Sequence, residues 1–345
     1  MRERHSADLA PLTTLRLGGP ADRLVEVETE AEFVDVVSAC DSTGEPVLVL
    51  GGGSNLVIAD SGFAGTVVAV RTRGVVTEGD LRVGETVTVA AGENWDDVVA
   101  RAVDAGRPGI EALSGIPGTT GAVPIQNVGA YGQEVSQTVA SVRAWDRRAR
   151  HAVTLDTADC GFGYRSSRFK NDPDAYLVLD VTFLLHHGEI STPIRYPELA
   201  RGLGVALGDR APLRRVREAV LALRRRKGMV LDTADHDTWS AGSFFTNPVL
   251  APPAAASLPA DAPRWPQPDG RVKTSAAWLI ERAGFEKGYG CGPVGISAKH
   301  PLALTNRGGA RTTELLSLAR EIRTGVRERF GVELANEPVT VGCSL

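Results

Sequence analysis

Four short stretches carry side chains that can move charge or protons. In WSAGSFFTNP (239–248) the hydroxyl of Ser243 stands between Gly242 and two phenylalanines, and no His, Lys or carboxylate lies within five residues on either side. A nucleophilic serine needs a positioned base, so nothing local activates this one as a nucleophile. Two readings stay open: a turn residue that closes a loop, or a hydroxyl that exchanges a proton in a dry pocket. YRSSRFK (164–170) packs Arg165, Arg168 and Lys170 around two serines. It reads either as a solvated basic loop or as a clamp for a carboxylate or enolate, which a guanidinium binds bidentately. LRRRKGM (223–229) runs through four consecutive cations, Arg224 to Lys227. Cations there either complement a helix C-terminus or meet an anionic ligand. In NEPVTVG (336–342) Glu337 is the one carboxylate, as a polar turn or as a partner for a reacting group.

Two glycine-rich stretches have the composition to hold phosphate. LVLGGGSNLVI (48–58) is a strand, a glycine turn and a second apolar run. Its glycines permit positive φ and close approach, so their N–H groups can form an anion-binding nest, or the turn can be a tight hairpin or bulge. It lacks the GK[ST] end of a Walker loop, and Leu56 stands where a Rossmann fingerprint needs its third glycine. SGIPGTTGAVPIQNVGAYGQEV (114–135) repeats glycine at 115, 118 and 121, with Ser114, Thr119 and Thr120 as hydroxyl donors and Asn127, Gly129 and Tyr131 beyond. Long irregular loops inside a folded domain are usually functional. Two such loops on successive units suggest one long dinucleotide held between two subdomains.

The elements that must position these groups follow from periodicity. Strands are expected at Ala21–Val27, Pro46–Leu50, Thr66–Arg71, Val87–Ala91, Val139–Asp146, His151–Leu155 and Tyr176–Leu185. Helices are expected at Glu30–Cys40, Asn94–Ala105, Pro212–Arg226, Lys273–Ala283 and Thr312–Phe330, the last with Thr312 as N-cap and Gly331 closing its C-terminus. A Pro/Ala-rich stretch at 251–270 reads as a short helix and a loop, and Asn336–Val341 as a strand-like tail. At 345 residues the chain exceeds one ordinary core and implies two or three domains. Hydrophobic residues at 43% and charged residues at 23% fit a soluble protein, and a net charge of −4 argues against a general nucleic-acid binder. The start lacks an apolar signal-peptide region, and no apolar run reaches the roughly 20 residues of a membrane span. The four scattered cysteines form no CxxC and the six histidines no metal cluster, so a cytoplasmic protein with reduced cysteines and no metal site is expected.

Seven motifs in order, TTLRLGGPAD, GGGSNLVI, GIPGTTGAVPIQNVGAYG, YRSSRFK, AGSFFTNP, VKTSAAWLIERAG and NEPVTVG, run nearly end to end. Together they resemble the UDP-N-acetylenolpyruvoylglucosamine reductase family, type I branch, within the vanillyl-alcohol-oxidase type of flavin-binding fold. The resemblance implies an α+β flavoenzyme of three domains: a first FAD-binding subdomain at 1–74 joined by the tail 337–345, a second at 75–227, and a substrate-binding domain at 228–336. It implies noncovalent FAD, with NADPH and a UDP-sugar as the partners and no membrane, nucleic acid or obligatory protein partner. No histidine lies between His5 and His151, so neither glycine loop offers one for covalent attachment of a flavin. By the resemblance, Gly51, Gly52, Gly53, Ser54, Asn55, Ser114, Gly118, Gly121, Ile125, Asn127 and Gly129 contact FAD. Arg165, Ser243 and Glu337 are the catalytic residues, and Tyr131, Tyr196, Arg224, Lys227, Asn247 and His300 contact substrate. Two other readings remain at this level: a flavin oxidase of the same fold, and a nonenzymatic flavin- or nucleotide-sugar-binding module.

Overall fold

Valine-rich runs form strands where alternate side chains can be buried on a pleated surface. In the computed structural model, which describes residues 1–80 and 84–345, such runs build two sheets. One is four-stranded, in the order Arg2–Asp8, Pro20–Val27, Phe63–Val70, Val47–Leu50, its last two strands parallel. The other is antiparallel and five-stranded, in the order His151–Asp156, Val139–Asp146, Tyr176–Leu185, Gly84–Ala90, Val75–Asp80. The chain divides into two compact units. The first comprises Met1–Ser6, Asp22–Gly52 and Ala64–Arg225, and the second Ala7–Ala21, Gly53–Phe63 and Arg226–Leu345. The chain therefore passes from one unit to the other inside GGGSN and again inside LRRRKGM.

In the first unit the helix Glu30–Thr43 starts at a capping box formed by Thr29 and Glu32 and ends at Gly44. It buries Phe33, Val36 and Val37 against Val25, Val27, Val68 and Val70. The helix Trp95–Asp104, capped by Asn94, inserts Trp95, Val98 and Val99 into the core of the five-stranded sheet. The Trp95 and Phe183 rings lie 5.7 Å apart. Each such fully buried side chain stabilises by about 1.5–3 kcal/mol. The helix Leu213–Arg226 buries Leu213, Val216, Val220 and Leu223, and the last three join Leu199 and Leu203 of the helix Pro197–Leu203.

The second unit packs the helices Ala276–Arg282 and Thr312–Phe330 around Phe244, Phe245, Ile296 and Leu304. Its main sheet has the order Ser240–Ser243, Ala303–Asn306, Val294–Ile296. A parallel pair joins Val339–Val341 to Leu56–Ile58. Two sequence expectations change here. The expected helix Lys273–Ala283 starts only at Ala276, because Ser275 caps it and Lys273 belongs to the strand Val272–Lys273. Thr312 is inside its helix and is not the N-cap: that position is Arg311. The helix end is capped from afar, with the amides of Thr312 and Thr313 donating to the Asp60 carboxylate at 2.7 and 3.0 Å. The Thr312 hydroxyl instead donates to the Ile58 carbonyl at 2.6 Å. The short strands Ser240–Ser243, Val294–Ile296 and Ala303–Asn306 and the polar strand Arg2–Asp8 were not foreseen, since none shows a strong apolar alternation.

Candidate functional site

The first unit holds the glycine loops and the arginine loop. Residues Ala91–Asp96 run along the SGIPGTTG loop as an irregular antiparallel pair. Gly121 donates to Ala91 O (2.9 Å), Thr120 to Glu93 O (2.9 Å) and Trp95 to Gly118 O (3.1 Å), with Asn94 opposite Thr119. The loop is thereby laid against the start of the helix Trp95–Asp104. Gly51 and Gly52 meet it closely: a Cβ on Gly52 would lie 2.6 Å from the backbone at Gly118 Cα, and one on Gly51 would lie 2.4 Å from the Thr119 side chain at Oγ1. Glycine is required there by the close approach of two main chains. Among the described residues, no group of the chain accepts from the amides of Gly52, Gly118 or Thr119. Unengaged backbone donors at the meeting point of two glycine loops are the donor set an anionic pyrophosphate needs, so this part of the chain fits a dinucleotide such as FAD.

Several residues read as cofactor contacts have work inside the fold. Ser114 is fully buried and its hydroxyl donates to Glu111 O at 2.7 Å. Gly121 packs where a Cβ would come 2.6 Å from Ala91 Cβ. Asn127, buried at φ +44, donates to Glu134 Oε2 (3.0 Å) and Gly163 O (3.1 Å) and accepts from Ser136 N (3.1 Å). Its carboxamide is therefore a brace. Ile125 and Gly129 serve through their carbonyls, which accept from Ser167 Oγ and, at 3.0 Å, from Arg165 Nη2.

Those contacts bind the arginine loop. Gly163 and Ser166 exchange backbone hydrogen bonds of 3.0 and 3.2 Å, so Tyr164 and Arg165 form a two-residue turn. Arg165 holds φ +50, a left-handed conformation that costs a non-glycine residue about 1–2 kcal/mol. The turn is held by Asn127, by Ser167 and by Lys170, whose Nζ donates to Arg165 O at 3.0 Å. Nearby, Tyr131, also at positive φ (+50), packs edge-on against Tyr196 with centroids 5.3 Å apart and planes at 89°. The structure thus brings together the two tyrosines read as substrate contacts. Arg224 Nε donates to Gly115 O at 3.1 Å, and burial pushes its guanidinium below its ordinary value.

The second unit holds the serine, the C-terminal glutamate, Lys227 and His300. Ser240 faces Thr305 and Ser243 faces Ala303, so three steps on one strand oppose two on the other and one residue bulges. Gly242, at φ +74, sits in the bulge. Bulges re-aim side chains, and here Ser243 is left half-buried while Phe244 and Phe245 on its C-terminal side are fully buried. Among the described residues the Ser243 hydroxyl makes no hydrogen bond within the chain. The C-terminal tail pairs with the next residues. Glu337 N donates to Phe244 O (2.8 Å), Thr246 N to Ala335 O (3.0 Å), and Phe245 lies opposite Asn336. Ser243 and half-buried Glu337 are thus carried on adjoining segments of one unit. Asn247, read as a substrate contact, uses its Oδ1 to accept from Ala276 N at 2.9 Å and so anchors a helix start. His300 follows a turn in which Ser297 Oγ accepts its amide at 3.2 Å, and its Nδ1 accepts from Leu302 N at 3.3 Å. Lys227 precedes Gly228, which packs beside Asp237 and Lys299.

Sequence reading missed Asp96 and Arg217. Asp96 accepts from both Arg217 Nη1 and Nη2, at 2.6 and 2.9 Å, and from Gly115 N at 2.6 Å. A signal was available in the helix period: Arg217, Leu221 and Arg224 recur at i, i+4 and i+7, one polar-ended stripe facing the loop.

This geometry coincides with known sequence families. Residues 21–154 match the FAD binding domain model, and residues 233–341 match the model of the UDP-N-acetylenolpyruvoylglucosamine reductase C-terminal domain. The chain is 57% identical to the UDP-N-acetylenolpyruvoylglucosamine reductase of Streptomyces coelicolor, covering all of this chain and 92% of that one. It is 58% identical to that of Thermobifida fusca, covering 98% of this chain and 97% of that one. The crystal structure of the Thermus caldophilus reductase superposes with a TM-score of 0.66 at 26% identity, over 99% of this chain and 98% of the other. With identity of this degree along its whole length, the chain belongs to the UDP-N-acetylenolpyruvoylglucosamine reductase family.

Proposed function

We propose that the chain reduces UDP-N-acetylglucosamine enolpyruvate to UDP-N-acetylmuramate with NADPH and noncovalent FAD, as a cytoplasmic step of peptidoglycan precursor synthesis. We assign the first FAD-binding part to 1–74 with the tail 337–345, the second to 75–227, and the substrate-binding part to 228–336. Gly51, Gly52, Gly53, Ser54, Asn55 and Gly118 would hold the FAD; Ser114, Gly121, Ile125, Asn127 and Gly129 shape the loops that present it. When bound, FAD would supply the hydride transfer that carries reducing equivalents from NADPH to the terminal vinyl carbon of the enolpyruvyl ether.

The negative charge left on the adjacent carbon spreads into the substrate carboxylate. Arg165 binds that carboxylate with a fixed positive charge, and Glu337, as a protonated carboxyl, donates a hydrogen bond to the developing enolate; such preorganised groups act most strongly where charge develops. Ser243 gives its Oγ proton to the carbon, so hydride and proton together saturate the double bond while NADPH becomes NADP+. Tyr131, Tyr196, Arg224, Lys227 and His300 contact the nucleotide sugar, and Asn247 supports the serine segment through its hold on Ala276.

The observation that carries this reading is the pairing of residues 244–246, which follow Ser243, with the Glu337 tail, beside a hydroxyl that no other group of the chain engages among the described residues. The purified protein should be yellow, release FAD on denaturation, and oxidise NADPH only when the enolpyruvyl substrate is present. Absence of substrate-dependent NADPH loss, or hydrogen peroxide formed in step with it, would overturn the assignment.

A further inference from the structure

The loop that meets GGG does not hold its shape by itself. Its first glycine, Gly115, is gripped at both faces of its backbone. On one side its N–H donates to Asp96 Oδ1 at 2.6 Å, and on the other its C=O accepts from Arg224 Nε at 3.1 Å. Asp96 is itself fixed by two hydrogen bonds from Arg217, about one turn of helix before Leu221, whose Cδ2 would lie 2.8 Å from a Cβ on Gly115. Gly115 holds φ +71, so any side chain there would meet both strain and this helix. Beyond the grip come Pro117 and then the amides of Gly118 and Thr119, which no group of the chain engages among the described residues.

We propose that Asp96 and Arg217 are positioning residues for the cofactor: their bidentate pair locks Gly115 and so sets the Gly118–Thr119 amides in the orientation that receives a pyrophosphate. This rests on the reading that these loops hold FAD. Burial alone would raise the Asp96 carboxyl, yet the hydrogen bonds from Arg217 and Gly115 outweigh it and hold it below its ordinary value. The Asp96 carboxylate therefore stays charged across the neutral range. A bidentate arginine–carboxylate pair fixes direction as well as distance, which suits a part whose purpose is orientation. Asp96 sits on the helix Trp95–Asp104 and Arg217 on the helix Leu213–Arg226, so the loop is aimed by two rigid elements.

The test separates aim from folding. The full-length protein is stripped of flavin and titrated with FAD and, separately, with riboflavin, which has the isoalloxazine ring but no phosphate. For Asp96→Ala, FAD binding weakens about 10-fold or more while riboflavin binding is unchanged. Arg217→Gln leaves Asp96 to Gly115 and weakens FAD binding by a smaller factor with the same indifference to riboflavin, and it serves if the alanine variant fails to fold. Unchanged FAD affinity in either folded variant, or equal losses for both ligands, would overturn the proposal. A wild-type protein that does not prefer FAD to riboflavin would instead overturn the FAD reading of these loops.

Discussion

The arginine loop of the first unit and the serine strand of the second solve opposite problems. Arg165 sits in a two-residue turn at φ +50, and Asn127, Ser167 and Lys170 tie that turn down. Ser243 sits on a bulge with the next residue secured, Phe244 N donating to Leu302 O at 2.7 Å and Phe244 O accepting from Glu337 N at 2.8 Å, while among the described residues the Ser243 hydroxyl makes no hydrogen bond within the chain. In the proposed reaction the permanent charge of Arg165 helps only if it is where charge develops, and the braced segment suits that role. In the proposed reaction Ser243 is the proton donor and must keep its proton available; the two residues after it, Phe244 and Phe245, are buried and apolar, and the restraint falls on the Phe244 backbone. The two regions teach that a candidate site residue is judged as much by which of its atoms are engaged as by its type.

The largest effect should come from deleting the unengaged hydroxyl. Ser243→Ala should leave flavin reduction by NADPH intact and slow flavin reoxidation by the enolpyruvyl substrate on the order of 10²–10⁴-fold, the range for a lost general acid. Stopped-flow measurement of the two half-reactions separates them, and equal behaviour of variant and wild type in the second would remove Ser243 from the chemistry.

Next is the brace. Asn127→Gly keeps the left-handed backbone and removes the carboxamide that links Glu134, Gly163 and Ser136. Three part-buried hydrogen bonds at about 1 kcal/mol each predict a loss of roughly 2–3 kcal/mol of stability. A loosened Arg165 should lower kcat/KM for the enolpyruvyl substrate about 10–100-fold, since small misplacements of a charged clamp are expensive. Denaturant titration and steady-state kinetics check both. A loss of stability with unchanged kcat/KM would mean that the brace does not serve Arg165.

These contrasts also show what the sequence made legible. Helices such as Thr312–Phe330 and Leu213–Arg226 and strands such as Val139–Asp146 could be read because their apolar period is strong and local. The strand Ser240–Ser243 could not, because two serines and a glycine give no alternation and its pairing comes from residues some sixty positions on. The candidate residues were legible as motifs, but their engagement was not. Nothing in PIQNVGA distinguishes an asparagine that touches a ligand from one that braces Gly163, and Asp96 meets Arg217 across 121 positions. Hydrogen-bond partners are set by tertiary structure, which spacing along the chain does not encode.

A smaller effect isolates the bulge. Gly242 (φ +74) and Gly44 (φ +71) share a backbone conformation, and a Cβ on either would meet nothing within 4 Å. Alanine at each should therefore cost a similar amount, about 1–2 kcal/mol of stability, from the left-handed backbone alone. Only Gly242→Ala should also slow substrate reduction, by several-fold, because only there does the backbone aim Ser243. If Gly44→Ala slows turnover as much, the effect is general softening and the bulge has no special task.

The smallest effect tests the frame behind the serine half and depends on pH. Asp60 accepts from the first amides of the helix Thr312–Phe330. Burial would raise its carboxyl, but the backbone hydrogen bonds from Thr312 and Thr313 prevail and hold it below the ordinary aspartate value. A carboxyl depressed in the folded state contributes stability that is complete above its unfolded pKa of about 3.9 and is lost as pH falls through its lower folded pKa. Asp60→Asn replaces one acceptor oxygen by a donor facing Thr313 N–H and removes the charge from a helix N-terminus, so it should cost about 1–2 kcal/mol at pH 7. That difference between variant and wild type should shrink below about pH 4 as Asp60 itself takes up a proton. Chemical denaturation from pH 7 to pH 3 follows it directly, and a penalty that stays constant across that range would mean the carboxylate charge contributes nothing. Turnover at pH 7 should be unchanged, since the cap secures the helix that Ile322 and Val326 pack into the core and leaves the strand carrying Ser243 paired as before.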